Sequence, residues 1–251
     1  MTKTETVKNY CKQLNLAWLS NNIETIILEA ENHKISYQEL LSELMGQEIN
    51  YRQLKDKERR LKLADLPLNS YLEKYDPSLI EGFELQELNQ LRELNWLEQN
   101  YNIILMGPSG TGKTYIAAGL CRDAVEQGYK AYFKNMEDLI QILKLKNITR
   151  KAAAEYKRIA KAHLLVIDDI MMFPVPEQEI NAFFHLINEL HEKASVIITT
   201  NKSPKEWVDI IKDEVITTAL LDRLLYRCEI VKLDGDSYRL KNRKTIFNKS
   251  K

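Results

Sequence analysis

The sequence is poor in the residues that interrupt regular structure or cross-link small folds. Its 251 residues include only 8 glycines, 6 prolines and 3 cysteines. An odd number of cysteines without a C-x-x-C pair favours neither a disulfide framework nor a zinc site, so we expect a reduced, cytoplasmic compartment. Because glycine, proline and low-complexity stretches are scarce, most of the chain should be folded and largely helical.

Charge of one sign is not in excess. The 36 lysines and arginines balance 36 aspartates and glutamates, so the net charge by itself implies no partner. The first five residues hold no apolar signal core, and no stretch approaches the length of a membrane span. We therefore expect no membrane contact, and any attraction to an anionic partner must come from local clusters.

What the sequence does contain is a phosphate-binding pattern. The apolar run 101–106 leads into G-x-x-x-x-G-K-[ST], and a helical pattern follows. The glycines let backbone N–H groups turn toward phosphate oxygens, and the start of the helix adds partial positive charge. Lys113 should reach the β- and γ-phosphates of a nucleoside triphosphate, and Thr114 should ligate Mg²⁺. The predicted nucleotide-binding residues are Gly107, Pro108, Ser109, Gly110, Thr111, Gly112, Lys113 and Thr114.

Two later apolar strands end in polar residues. The run 163–167 is followed by Asp168 and Asp169, as in a buried parallel strand whose carboxyl end faces a ligand. Because this strand follows the phosphate loop, it matches a Walker B element. Asp168 should hold Mg²⁺ through water, and Asp169 should polarise the attacking water. The strand 196–200 ends at Asn201, which should reach the γ-phosphate or the attacking water.

The N-terminal part is expected to be a small helical domain, 1–66, ahead of a nucleotide-binding domain, 67–251. Ser36 and Glu39 form a capping box that predicts the start of a third helix. A charged helical run, 51–63, follows Gly46. The predicted buried face of the third helix consists of Leu40, Leu41, Leu44 and Met45.

Pro67 and Pro77 punctuate an irregular segment, and an acidic helix, 84–98, should follow it. Farther along, Trp207 is interpreted as a packing anchor rather than a base-stacking platform. His185 and His191 are interpreted as surface residues, since no partner lies at metal-ligand spacing.

Basic residues occur in three blocks, 52–62, 144–161 and 239–251, and the last block includes Lys244, Lys249 and Lys251. The second block is the strongest, with Glu155 as its only acid. The first block is equally compatible with a solvated helix face and with a nucleic-acid contact.

Taken in order, these elements resemble the IstB-type transposition helper ATPases, which are relatives of the DnaC helicase loaders in the AAA+ superfamily. The resemblance covers essentially the whole chain. Its specific parts are 198–201, Trp207, the Ala-Leu-Leu-Asp-Arg-Leu run at 219–224 and Asp-Ser-Tyr-Arg at 236–239. It implies an α/β fold: an AAA+ P-loop NTPase core whose parallel sheet is flanked by helices, plus a small N-terminal all-helical domain. The chain departs from the family at Ile170-Met171-Met172, where a glycine is usual.

The resemblance also implies roles for single residues. Asn201 would be sensor 1, Arg223 the arginine finger that enters a neighbouring subunit's ATP site, and Arg239 a sensor 2-like arginine that contacts the nucleotide. The N-terminal helices and the basic insert would contact DNA. The catalytic set is thus Lys113, Asp169, Asn201 and Arg223, and the implied DNA contacts are Arg52, Lys55, Arg59, Lys144, Lys146, Arg150 and Lys151.

Three functions compete on this basis. The favoured one is an ATPase that oligomerises on double-stranded DNA with ATP and Mg²⁺, deforms the duplex and recruits a partner transposase. The alternative is a replicative helicase loader of the DnaC type, which would prefer single strands. A metabolic P-loop kinase is disfavoured, because Arg223 and Asn201 suit an oligomeric motor and no acceptor-substrate lid is visible.

Overall fold

The computed structural model describes residues 2–33, 35–68, 70–74, 82–172, 175–241 and 243. Pro77, Lys244, Lys249 and Lys251, which entered the sequence predictions, lie outside these ranges. The chain divides into two compact units, Met1–Arg59 and Arg60–Lys251. The predicted domain boundary near Leu66 lies in the second unit, and the roles assigned to the two domains stay predictions.

The first unit is built from helices around a small apolar core. The helices are α1 (Lys3–Gln13), α2 (Ala17–His33) and α3 (Tyr37–Ala64), of which the last extends past the division between the units. The core contains Cys11, Leu19, Ile23, Ile26 and Leu44. The capping box at the start of α3 is confirmed: the N–H of Ser36 donates to the Glu39 carboxylate at 2.9 Å, and the N–H of Glu39 donates to the Ser36 hydroxyl at 3.2 Å.

Two details of α3 differ from the prediction. The helix runs without interruption from Tyr37 through Gly46 to Ala64, so the charged run 51–63 belongs to the same helix. Leu41 and Met45 are 57% and 48% exposed, so their assignment to the buried face was wrong. The small core covers only the narrow face of α3 that carries Leu40 and Leu44.

A buried carboxylate ties α3 to the start of α2. Glu48 is 3% exposed, and its carboxylate accepts the backbone N–H groups of Trp18 at 3.0 Å and Leu19 at 3.1 Å. Burial by itself would raise the pKa of Glu48, but the Leu19 N–H and the Arg52 guanidinium outweigh it, and the pKa is lowered. Arg52 donates to Glu48 at 2.9 Å and to the carbonyl of Asn15 at 2.7 Å. Its guanidinium therefore links α3 to the turn between α1 and α2.

The second unit contains a parallel sheet of five strands in the order β2-β3-β4-β1-β5. The strands are β1 (Asn102–Met106), β2 (Ala131–Asn135), β3 (Leu164–Asp168), β4 (Ser195–Thr200) and β5 (Cys228–Lys232). β1 lies between β4 and β5, and β3 pairs with β4. The strand that ends at Asp168 is therefore next to the strand that precedes Asn201.

Alternate residues of the central strands face two separate cores. Ile103 and Leu105 point to one side of the sheet, and Ile104 points to the other. Helices cover both sides, which accounts for strands that are apolar on each face. The predicted α/β fold class is confirmed.

The helices of the second unit follow the strands in alternation. α6 begins at Lys113, directly after the glycine-rich loop, and ends at Glu126, and the side chain of Asn135 caps α7 by accepting the N–H of Asp138. The acidic segment is two helices rather than one, because Leu94 adopts a left-handed φ of 62° between them. Beyond a 3₁₀ turn (Leu72–Lys74), the helices are α4 (Leu85–Arg92), α5 (Asn95–Glu98), α6 (Lys113–Glu126), α7 (Met136–Leu145), α8 (Arg150–Ile159), α9 (Glu177–Leu190), α10 (Pro204–Ile211), α11 (Glu214–Leu225) and α12 (Tyr238–Lys241).

Trp207 is fully buried on α10, which confirms its interpretation as a packing anchor. A capping box formed by Ser203 and Glu206 begins this helix, with Pro204 as its first residue.

Candidate nucleotide-binding site

The phosphate loop connects the carboxyl end of β1 to the start of α6. Gly110 and Gly112 have φ angles of 90° and 92°, which side-chain-bearing residues rarely adopt. Gly112 is the N-cap of α6, so the loop ends at the positive end of the helix dipole. The strand, loop and helix predicted from the sequence are therefore all present in the arrangement that binds phosphate.

Lys113 is 6% exposed, and its ammonium group is turned back over the loop. Its Nζ donates to the carbonyl oxygens of Gly107 at 2.7 Å and Pro108 at 2.6 Å. Burial lowers the pKa of Lys113, although the carboxylates of Asp169 and Asp168 act in the opposite direction. The side chain is thus held beside the loop, and the charges of Asp168 and Asp169 act on it.

Asp168 joins the loop helix to the sheet. One oxygen, Oδ1, accepts hydrogen bonds from the hydroxyl of Thr114 at 2.9 Å and from the hydroxyl of Thr199 at 2.5 Å. The residue is 7% exposed, and burial raises its pKa against the effect of those two hydrogen bonds. A hydroxyl and a carboxylate at this distance form an oxygen donor set of the kind that a hard divalent cation prefers, so the residues fit Mg²⁺.

Asp169 is exposed at the end of β3 in a left-handed conformation, with φ of 54°. Its backbone N–H donates to the hydroxyl of Thr199 at 2.8 Å. Met171 also has φ of 54°, within the segment 170–172 in which the sequence resemblance led us to expect a glycine. The left-handed conformation of Met171 costs about 1 kcal/mol in backbone strain. The methionine side chain is buried in the core of the second unit.

Thr199 was missed by the sequence interpretation. It is fully buried on β4, donates to Asp168 and accepts from the backbone of Asp169, so it positions both acidic residues. A polar residue after three aliphatic ones, in a strand expected to be buried, was the available signal. Asn201, which the sequence did single out, lies just beyond the carboxyl end of β4 and is exposed.

The C-terminal part of the chain passes against the phosphate loop. The Leu233 N–H donates to the carbonyl of Met106 at 2.8 Å, and the Tyr238 N–H donates to that of Gly110 at 3.0 Å. Arg239 donates to the hydroxyl of Ser109 at 3.2 Å. A Cβ atom at Gly110 would lie 2.8 Å from the Cβ of Ser237, so only glycine fits there. We call residues 233–239 the strap. It brings Arg239 to the loop.

Arg223 lies on α11, away from the other predicted catalytic residues. The carbonyl of its neighbour Leu224 accepts from the side chain of Asn102, the first residue of β1, at 3.0 Å. The phosphate loop follows the last residue of β1, about 13 Å farther along the strand at 3.3 Å per residue. Arg223 is therefore at the opposite edge of the sheet from the loop of its own chain.

The basic block 144–161 forms the end of α7, the turn after it and α8. Its only acid, Glu155, accepts from the buried ammonium group of Lys134 at 2.5 Å, which leaves the exposed side of α8 basic. Lys144 pairs with Glu179 at 3.7 Å, and the Lys146 ammonium lies 4.0 Å from the centre of the Tyr156 ring. Arg150 and Lys151 are exposed at the start of α8.

The predicted contacts in the first block have intramolecular partners. Arg52 pairs with Glu48, as described above. Lys55 pairs with Glu58 at 2.9 Å, and Arg59 pairs with Asp56 at 2.5 Å, along α3. Such pairs on an exposed helix reduce the local positive potential.

Within the described ranges, the search for a helix of sufficient length and apolarity to cross a lipid bilayer finds none.

A parallel sheet of this order, a phosphate loop after β1 and paired acidic residues at the carboxyl end of β3 define the fold of a P-loop nucleotide-binding protein of the AAA+ class. Residues 9–246 match the family described as IstB-like ATP binding protein. The chain belongs to this family, as the sequence resemblance predicted.

Individual relatives support this assignment. The chain is 46% identical over 239 residues to an IS21-like insertion-sequence ATP-binding protein of Bacteroides fragilis. The aligned stretch covers 95% of this chain and 91% of the relative. It is 34% identical over 232 residues to the IS21 ATP-binding protein of Pseudomonas aeruginosa, with 92% and 88% covered.

Solved structures share the fold. DnaI matches 66% of this chain and 92% of its own, with a TM-score of 0.56 and 15% identity. AMPPCP-bound DnaA from Aquifex aeolicus matches 68% of this chain and 52% of its own, with a TM-score of 0.55 and 22% identity.

Proposed function

We propose that this protein is an ATPase that assembles on double-stranded DNA and assists a partner transposase. The observation that carries the proposal is the convergence of Thr114 and Thr199 on one oxygen of Asp168, since it joins the phosphate loop to the acidic strand. The names of the curated relatives, insertion-sequence ATP-binding proteins, support the transposition context.

The residues of the site have distinct tasks in this proposal. The loop amides, Lys113 and Arg239 bind the phosphates of ATP, while Thr114 and Asp168 hold Mg²⁺. The metal would neutralise charge on the phosphates when bound. Asp169 orients the attacking water, and the Thr199 hydroxyl fixes the backbone from which Asp169 projects. Asn201 contacts the water or the γ-phosphate from the end of the neighbouring strand.

Arg223 acts in trans. Because α11 leads into the amino end of β5, while the phosphate loop follows the carboxyl end of β1, Arg223 lies at the edge of the sheet opposite the phosphate loop of its own subunit. An arginine placed there completes the site only of a neighbouring copy. The ATPase is therefore proposed to be active as an oligomer, and a finger of this kind contributes about a thousandfold or more in rate.

Mixed assemblies test this assignment. Arg223→Ala and Lys113→Ala subunits should each lose most of their ATPase activity, and a mixture should regain activity because each supplies what the other lacks. Lys130→Ala, which removes an exposed lysine ahead of β2, is the matched control and should behave as wild type. Absence of rescue at every ratio, with mixed assembly verified by crosslinking, would count against a shared site.

DNA contact is proposed for the exposed side of α8, chiefly through Arg150 and Lys151. Lys144 and Lys146, and Arg52, Lys55 and Arg59 on α3, would contribute only by giving up the intramolecular contacts described above. ATP-dependent assembly would repeat weak phosphate contacts along the duplex. Affinities for duplex and single-stranded DNA of equal length discriminate this function from a helicase loader, because a loader would prefer the single strand.

A further inference from the structure

Arg223 does not project freely from α11; it lies between two side chains of α9. Its Nε donates to Oδ1 of Asn188 at 2.7 Å, and its guanidinium carbon lies 4.9 Å from the centre of the Phe184 ring. One terminal nitrogen, Nη1, donates to the carbonyl of Ala219 at 2.8 Å. Three groups from two helices thus define where the guanidinium points.

The two α9 residues are spaced for this task. Phe184 and Asn188 are four residues apart, so they lie on one face of the helix, one turn from each other. The neighbouring residues Phe183 and Ile187 belong to the same buried cluster as Leu220 and Leu224 of α11, and the two helices pack against each other. The face that carries Phe184 and Asn188 is therefore a rigid support beside Arg223.

The contacts to Asn188 and Ala219 use only part of the hydrogen-bonding capacity of the Arg223 guanidinium. A guanidinium has five N–H groups, and the contacts to Asn188 and Ala219 use the Nε–H and one N–H of Nη1. Three N–H groups remain, and the two at the terminal end of the fork, one on each terminal nitrogen, are parallel donors of the kind that can chelate phosphate oxygens. The aromatic ring covers one face of the guanidinium without using any donor.

We propose that Asn188 and Phe184 are positioning residues for the trans-acting Arg223: they orient its free donors toward the nucleotide of a neighbouring subunit. This inference rests on the proposed trans role of Arg223. Because a misplacement of about 1 Å can cost about a hundredfold in rate, a support for the finger should be visible in turnover. Neither Asn188 nor Phe184 belongs to the phosphate loop or the predicted Mg²⁺ site, so substitution of either residue should leave the affinity for nucleotide unchanged.

The test compares Asn188→Leu, which keeps the size of the side chain but removes the acceptor, with Asn188→Asp, which keeps an acceptor oxygen. Asn188→Leu should lower kcat about tenfold or more at unchanged nucleotide affinity, and Asn188→Asp should stay within about threefold of wild type. The matched control is Asn181→Leu on the same helix, whose amide donates to the carbonyl of Glu177 at 3.0 Å within α9 itself. It should leave turnover unchanged.

Two further measurements separate positioning from a general structural effect. In an Arg223→Ala background, Asn188→Leu should cause no further loss, since its effect passes through the guanidinium. Mixed with Lys113→Ala subunits, which carry an intact Arg223–Asn188 pair, Asn188→Leu subunits should regain activity. Normal turnover of Asn188→Leu, or an additive loss in the double variant, overturns the inference. If Arg223→Ala itself turns over normally, the proposed trans role fails first, and the positioning role fails with it.

Discussion

The backbone N–H of Tyr238 donates to the carbonyl oxygen of Gly110 across 3.0 Å, so the phosphate loop is built from two distant parts of the chain. Ser237 packs on the same glycine, and Arg239 reaches the hydroxyl of Ser109. The strap therefore fixes the loop from one side. A movement of the loop on nucleotide binding would therefore change its contacts with the strap.

Gly110→Ala should weaken nucleotide binding and the strap contact together. A Cβ at this position would lie 3.2 Å from Cα and 2.8 Å from Cβ of Ser237, and the φ of 90° is strained for alanine. We expect a loss of about 1–3 kcal/mol in the free energy of unfolding and at least about a tenfold loss in ATP affinity. Chemical denaturation and nucleotide titration measure the two effects.

The chain offers a matched control for this change. Gly128 has φ of 100°, but a Cβ there would meet nothing within 4 Å. Gly128→Ala therefore carries the conformational strain without the clash, and it should lose stability while binding ATP normally. If both variants bound ATP equally well, the contact between Ser237 and Gly110 would have no role in shaping the loop.

Asp168→Asn should stabilise the protein without nucleotide while abolishing Mg²⁺-dependent hydrolysis. The amide oxygen can still accept from Thr114 and Thr199, but no charge is buried. A gain of about 1 kcal/mol in the free energy of unfolding is expected at pH 7. Denaturation midpoints and ATPase rates measure the two effects, with Asp209→Asn on the surface of α10 as the control.

The pH dependence has a definite sign. Burial raises the pKa of Asp168, so the folded state binds a proton more readily than the unfolded state. Wild-type stability should therefore fall as the pH rises between the ordinary aspartate pKa and the raised one, and the advantage of Asp168→Asn should grow over that window. An advantage that is independent of pH would contradict burial of the charge as its cause.

Much of this site could be predicted because its signals are local. The loop 107–114 and the pair Asp168-Asp169 are contiguous patterns whose spacing reflects the turn geometry. Thr199 and Ser237 escaped because their roles depend on contacts with residues distant in sequence, Asp168 and Gly110. No periodicity in a single strand or segment encodes such a contact.

In the helical first unit, the sequence did not predict which residues of α3 are buried. The apolar spacing predicted that Leu41 and Met45 would be buried, but periodicity gives only the existence of an apolar face. How wide a face becomes buried depends on how many neighbours pack on it, which a single sequence does not specify. The departure at Met171, by contrast, was visible from the sequence, and the structure accounts for it by a left-handed residue where glycine is usual.

Asp169→Asn should bind ATP and assemble but hydrolyse ATP slowly, because the amide cannot polarise the attacking water. The expected loss is about a hundredfold or more in kcat, typical of a removed general base. Single-turnover hydrolysis and sedimentation with ATP measure the rate and the accumulated assembly. The surface variant Asp209→Asn should match wild type in both. Normal turnover of Asp169→Asn would transfer the role to another residue.

DNA binding should depend most on the two basic residues that are exposed at the start of α8. Arg150→Ala combined with Lys151→Ala removes two phosphate contacts per subunit. Since each phosphate contact on a duplex adds about 0.9 to the slope of log affinity against log salt, the slope should fall by about 2 per bound subunit. ATP binding in the absence of DNA should not change, because neither residue contacts the nucleotide site.

The controls distinguish a local contact from overall charge. Lys130→Ala with Lys205→Ala removes the same charge from exposed positions outside the basic block and should leave the salt slope unchanged. Lys144→Ala with Lys146→Ala should give a smaller effect than the α8 pair, since those ammonium groups already contact Glu179 and the Tyr156 ring. Equal slopes for all three double variants, measured on one duplex between 50 and 200 mM salt, would mean that α8 is not the contact surface, because a diffuse attraction depends on the number of charges and not on their position.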